Sequence, residues 1–179
     1  EFDAAILSVG VAGRVQGLGL EALGVTMNQG FVVVDERQQT SVPGIYAIGD
    51  VAGAPCLAHK ATHEAMIAAE TIAGHFVQGL QRDRIPGCTY SFPQIASIGL
   101  REQDAGDRAL RIGRFPLYAN GKAVVSGHTE GMIKTIFDSK TGALLGAHLI
   151  GDSVTELIQG FTVAIGLETT EHELLETIF

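Results

Sequence analysis

Cysteine is nearly absent: only Cys56 and Cys88 occur in 179 residues, with 31 residues between them. That spacing builds no CxxC redox motif and no zinc pattern. It fits two reduced thiols in a cytoplasmic protein. Positive charge is also scarce, with 12 Lys and Arg against 20 Asp and Glu and a net charge of −8. The densest basic stretch, Arg82-Asp83-Arg84, is interrupted by an acid. A surface that tracks phosphates needs clustered Lys and Arg, so no nucleic-acid partner is expected. An acidic surface suits a basic protein partner or simple solubility. No apolar run approaches the ~20 residues that a membrane span requires, so no membrane association is expected. No initiating Met and no signal peptide precede Glu1-Phe2-Asp3, and the chain enters an apolar run at once, as a fragment would.

The composition is otherwise that of a packed protein, 46% hydrophobic and 18% charged. The 23 glycines follow no collagen-like period, so they are expected at turns and close backbone approaches. Ala4 to Gly10 is a continuous apolar run, predicted to be a strand buried on both faces of a parallel sheet. Leu20 to Gly24 reads as a helical turn and Gly30 to Asp35 as a β-branched strand. Thr40-Ser41-Val42-Pro43-Gly44 is turn chemistry. Ile45 to Ile48 is a second predicted buried strand, closed by Gly49-Asp50. A helix is predicted from about Leu57 to His75, its apolar stripe being Ala61, Ala65, Ala68, Ala69, Ile72 and Ala73.

Residues 78–87 break every period and read as an inter-domain connection. Strands are predicted at Ile95–Leu100, Arg111–Leu117, Gly131–Asp138 and Ala143–Ile150, with a short helix at Glu102–Ala105. Asp138 to Gly142 is a hairpin loop. Two closing helices each open on a capping box, Ser153-x-x-Glu156 and Thr170-x-x-Glu173. The first carries the stripe Val154, Leu157, Ile158, Phe161 and Ile165. The first half therefore reads as α/β and the second as α+β.

The most informative stretch runs from Thr40 to Asp50. Ligands in open α/β sheets lie beyond the carboxyl ends of strands. An Asp there accepts a hydrogen bond from a sugar-like hydroxyl, and the adjacent Gly leaves room for approach. On the Gly-Asp dipeptide alone, a plain turn cap is the better explanation of Asp50, because Gly-Asp is common at turns. The whole stretch resembles the second flavin-binding motif of flavoproteins with two dinucleotide-binding domains, in which the Asp binds the ribityl chain of FAD. Leu57-Ala58-His59-Lys60-Ala61 is similar to the segment beneath the flavin pyrimidine edge in dihydrolipoamide dehydrogenases. These belong to the class I pyridine nucleotide-disulfide oxidoreductase family. A helix start is suited to that place, because its N–H groups and positive dipole end stabilise negative charge. The backbone of Ala58 and His59 is expected to make the contact, with the side chains of His59 and Lys60 in solvent. Residues 86–100, Gly146 to Gly151 and Thr155 to Ile158 look like that family's interface domain.

The resemblance implies an α/β partial FAD/NAD-binding, Rossmann-like segment followed by an α+β interface or dimerisation domain. It assigns residues 1–20 to the tail of an NAD-binding domain, 21–80 to the later part of an FAD-binding domain and 87–179 to the interface domain. It implies FAD held by Gly49, Asp50, Leu57, Ala58 and His59, NAD approached by Gly10, and no metal. The parent activity would be oxidation of protein-bound dihydrolipoamide by NAD, in a homodimer that serves a lipoyl-bearing acyltransferase complex. The sequence departs from the family pattern in three respects. Gly13 to Gly19 does not fit a GxGxxG loop, no Cys-x4-Cys pair is present, and the family's His-Glu base is missing. No catalytic residue is therefore assigned. His172, flanked by Glu171 and Glu173, is expected to be a surface residue, because consecutive helix residues do not face one another. His63, His75, His128 and His148 have no partner visible in the sequence. Two other readings remain open: an inactive fragment serving only as a dimerisation module, and a fragment of another FAD disulfide reductase or an NADH oxidase.

Overall fold

The computed structural model describes residues 2–178. Its contacts divide the chain into two compact units, one through Leu80 and one from Gln81 onward.

In the first unit, strands β1 (Met27–Asn28) and β2 (Phe31–Val32) pair as a two-residue antiparallel hairpin. Gln29 and Gly30 turn it at φ 48° and 82°. Two successive positive φ values match the right-handed twist of the flanking strands. Isolated bridges join Val34 to Thr40 and Gln39 to Tyr46. Val25, Val32 and Ala52 are buried against this framework. Gly13 makes a close backbone approach, since a Cβ there would lie 2.7 Å from the Gly30 carbonyl oxygen and 3.5 Å from Val51 Cα. Helix α1 spans Ala58–Ile72, inside the predicted range.

Three expectations for this unit are corrected. No strand forms over residues 4–10, and Ile6, Leu7 and Val9 are 96%, 85% and 84% exposed. A strand buried on two faces takes its ladder from its neighbours, and no such neighbour occurs among the described residues. The predicted strand Ile45–Ile48 is reduced to the single Tyr46 bridge, and that over Gly30–Asp35 to β2. The buried face of α1 holds Lys60, Glu64, Ile67 and Ala68, whereas Ala69, Ile72 and Ala73 are exposed. Ala68 is buried and Ala61 and Ala65 half-buried as predicted, but hydropathy cannot place a charged pair in a core, so the apolar count missed Lys60 and Glu64.

The second unit is a five-stranded antiparallel sheet in the order β3-β4-β7-β6-β5. Its strands are β3 (Gly87–Thr89), β4 (Gln94–Gly99), β5 (Leu110–Pro116), β6 (Met132–Asp138) and β7 (Leu144–Gly151). The loop between β6 and β7 is set by Asp138, whose Oδ1 accepts the N–H groups of Lys140 and Thr141 at 2.9 Å each. These bonds hold the Asp138 carboxyl below its ordinary pKa. Short helix α2 (Gly121–Ser126) precedes β6. Helix α3 (Val154–Gly166) lies on one face of the sheet, burying Val154, Ile158 and Ile165 against Ala96, Ile98, Ala147 and Leu149. Leu157 is not part of that stripe, being 50% exposed.

The two capping boxes have different outcomes. Ser153 sits at φ 57° without a side-chain cap, and its hydroxyl donates to Asp152 instead. The box at α4 (Glu171–Glu176) forms, with Glu173 accepting from both the N–H and the hydroxyl of Thr170. The Thr170 hydroxyl bond, and then its N–H, hold the Glu173 carboxyl below its ordinary pKa. A pKa depressed on folding gives stability that is present above the unfolded value and lost as pH falls through the folded one. Thr170→Ala is therefore expected to lower the urea midpoint near neutral pH. The gap from the parent protein should shrink as Glu173 is protonated. Urea midpoints taken across the acid range check this, and a gap constant with pH would rule out the box as its cause.

Candidate functional site

The segment Thr40–Asp50 is built by short-range hydrogen bonds. The Thr40 hydroxyl accepts the Val42 N–H at 3.2 Å, and Ile45 N–H reaches the Val42 carbonyl at 3.1 Å. Gly44 provides the positive φ of 82° that this turn needs after Pro43. Thr40 N–H then bonds the Ile45 carbonyl, and Ala47 N–H the Gln38 carbonyl, which returns the chain to Gly49. Residues Gly49–Ala52 form a single 3-10 turn, with Gly49 at φ 73° and Gly53 at φ 97°. Asp50 lies on this turn and is exposed. Its position is thus a turn rather than the tip of a regular strand.

The turn packs on the first two turns of α1. A Cβ on Gly49 would stand 3.4 Å from that of Ala61. Lys60 and Glu64 join the two elements. Lys60 Nζ donates to the carbonyls of Gly49 at 3.2 Å and Gly53 at 2.9 Å, and lies 2.9 Å from Glu64 Oε1. Glu64 Oε2 accepts the Gly49 N–H at 2.7 Å. Glu64 Oε1 receives no aligned hydrogen bond, so its compensation is the Coulombic contact with the ammonium. Both side chains are 0% exposed. This overturns the expectation of a solvated Lys60, while His59 is exposed as expected. The i,i+4 Lys–Glu spacing beside a Gly-Asp turn was the available signal.

Helix α1 opens on Leu57, which is extended and has no side-chain acceptor to cap the first N–H groups. Leu57 is half-buried, and Ala58 is exposed with His59. Of the residues proposed from sequence, Gly49 and Asp50 are thus placed against the helix that Leu57, Ala58 and His59 begin. Gly10 is exposed at φ 107°, with nothing within 4 Å of where its Cβ would be.

Among the described residues, the remaining reactive side chains gather into no second site. Cys88 is half-buried, and burial, then the nearby Glu156 carboxylate, pushes its thiol pKa up. That keeps it protonated and a poor nucleophile. His75 pairs with Glu70, and His128 lies 3.4 Å from Asp152 with its ring edge-on to Phe92. His148 Nε2 is 2.9 Å from the Leu100 carbonyl. These partners come from structure, since the sequence offered none. His172 is exposed in α4. Among the described residues, no group of three or more His, Cys, Asp or Glu side chains is placed to hold a metal, and no helix is long and apolar enough to cross a membrane.

Comparison with known proteins agrees with this architecture. Residues 85–179 match the family described as pyridine nucleotide-disulphide oxidoreductase, dimerisation domain, and residues 1–65 match pyridine nucleotide-disulphide oxidoreductase. The chain is 54% identical to a dihydrolipoyl dehydrogenase of Zymomonas mobilis, over 99% of its own length and 39% of the relative's. It is 57% identical to that of Rhizobium etli, over 99% of its length and 37% of the relative's. The chain thus spans under two fifths of the curated relatives it matches. The crystal structure of LpdA from Mycobacterium tuberculosis superposes with a TM-score of 0.89 at 30% identity, covering 94% of this chain and 37% of that one. The HOCl-induced flavoprotein disulfide reductase RclA of Escherichia coli follows at 0.88 and 26%, covering 96% and 40%. An α/β segment followed by an α+β sheet domain is therefore the shared fold, and the chain belongs to the pyridine nucleotide-disulphide oxidoreductase family, with its larger matched part in the dimerisation domain.

Proposed function

We propose that these residues form part of a dihydrolipoyl dehydrogenase, a homodimeric cytoplasmic flavoprotein that oxidises protein-bound dihydrolipoamide with NAD. In that reaction the dithiol loses two electrons and two protons, NAD takes up a hydride, and one proton is released. Bound FAD would supply the two-electron relay between an enzyme disulfide and NAD.

The observation that carries this reading is the braced turn: an exposed carboxylate, Asp50, on a turn that packs on the first turns of α1. These residues fit the flavin half of FAD. Asp50 would accept a hydrogen bond from a hydroxyl of the ribityl chain. Gly49 supplies the positive φ of the turn and its close packing on Ala61, and the backbone at Ala58 and His59, with Leu57 beside it, would orient N–H groups to the flavin's pyrimidine edge. Gly10 would lie near the nicotinamide half of NAD. In the same reading, residues 1–20 close an NAD-binding domain, 21–80 belong to an FAD-binding domain, and 87–179 form the dimer interface. Helix α3 supports the last assignment, because Leu157, Val163 and Leu167 remain 50%, 50% and 74% exposed. Apolar surface of this kind is what a homodimer buries. A lipoyl-bearing acyltransferase complex would be the partner of the whole enzyme.

Asp50→Ala is expected to lower the FAD content of the purified flavoprotein by about tenfold or more, read from visible absorption per polypeptide. Full retention of FAD would remove Asp50 from the site and the flavin reading with it. A second reading, an inactive dimerisation module, draws on the same apolar residues left exposed on α3. It requires colourless protein that still elutes as a dimer.

A further inference from the structure

We propose that Lys60 and Glu64 are positioning residues for the flavin site: a buried ion pair that fixes the turn bearing Asp50 on the onset of α1. The proposal rests on the flavin reading above.

Stability alone does not explain the pair. Burying two charges loses solvation that their attraction seldom recovers, and apolar side chains of similar volume commonly do as well. Ile67 and Ala68, buried on the same helix, show that α1 accepts apolar residues there. Lys60 also lies in the first helical turn, where the dipole disfavours a cation. The connections of the pair point elsewhere. The ammonium donates to two backbone acceptors, the Gly49 and Gly53 carbonyls, and faces Glu64 as its counter-charge. Glu64 returns one more bond, to the Gly49 N–H. Every backbone contact of the pair thus falls on Gly49 or Gly53, the two ends of the turn, and Asp50 lies between them. Both ends are glycines at positive φ, a conformation glycine itself does little to enforce. An external clamp is what holds such a turn, and the clamp is rooted in the helix whose onset would meet the flavin.

The test uses the full-length flavoprotein that we propose contains this chain, stripped of FAD and titrated with FAD by fluorescence. The variants are the apolar double Lys60→Met/Glu64→Leu, the polar double Lys60→Gln/Glu64→Gln and Asp50→Ala, and thermal melting of each apoprotein is the parallel readout. The apolar double variant fills the space without charge and frees the turn. Its FAD dissociation constant is expected to rise about tenfold or more, with an apoprotein Tm within a few degrees of the parent. The polar double variant leaves no unpaired charge, guards against an apolar double variant that does not fold, and is expected to weaken FAD about threefold or more. If both variants bind FAD as the parent does while Asp50→Ala does not, the pair is structural and the proposal is overturned. It is overturned equally if affinity falls only together with a large drop in apoprotein Tm. If Asp50→Ala also binds normally, the flavin reading itself has failed.

Discussion

Gly99→Ala is expected to destabilise the second unit by roughly 3–5 kcal/mol, placing it among the rare severe single substitutions. Two effects combine. Gly99 sits at φ 76°, where a side chain is strained, and a Cβ there would stand 2.2 Å from the Leu145 carbonyl oxygen and 2.9 Å from Gly146 Cα. Those atoms are backbone of β7, the central neighbour of β4, so they cannot swing aside as a side-chain tip would. The Leu145 carbonyl is also engaged, accepting the Leu100 N–H at 2.7 Å. Gly146, the register partner of Gly99, is equally constrained, since its Cβ would meet the Leu100 carbonyl at 2.3 Å. Gly106→Ala is the control. It shares a positive φ of 57° but has nothing within 4 Å, so only the backbone strain of about 1 kcal/mol applies. Urea unfolding of the two variants separates contact from strain, and equal losses would show that the β4–β7 corner relaxes freely.

Breaking the buried pair from one side is the second large effect. Lys60→Met leaves the Glu64 carboxylate in a dry site, and Glu64→Leu leaves the Lys60 ammonium there. Each is expected to cost the first unit about 3–5 kcal/mol, whereas the double variant should recover most of that loss. The reason lies in the environment. Both side chains are 0% exposed, so a charge left alone cannot regain its water. The coupling energy from a double-mutant cycle in thermal melts is the measurement. Additive single effects would mean that water reaches the pair and that the site is not dry.

The Gly-Asp motif and the helix after it could be read in the sequence, and both were found near their expected places. Helix α1 and the capping box at Thr170 follow from local periodicity and local hydrogen bonding, which neighbouring residues carry in full. The parts that were misread depend on something distant in sequence. Ser153 shows this on a small scale: it carries the residue types of a cap, yet its hydroxyl turns to Asp152. Residues 4–10 show it on a larger one. Their apolar run is suited to a parallel strand, but a strand exists only where another backbone offers it hydrogen bonds. Hydropathy likewise placed Lys60 in water because a charge ordinarily belongs there.

By itself, then, the sequence determined helix α1, most elements of the second unit, the location of the Gly-Asp turn and the family that they resemble. These depend on the period of apolar residues, on glycine and proline conformations and on motif spacing, all written along the chain. Tertiary structure alone decided that Lys60 and Glu64 face inward to grip Gly49 and Gly53, and that Gly99 and Gly146 meet backbone to backbone. Such contacts depend on which surfaces are pressed together, and the free energy of a charge or of a methyl group changes sign with that surrounding.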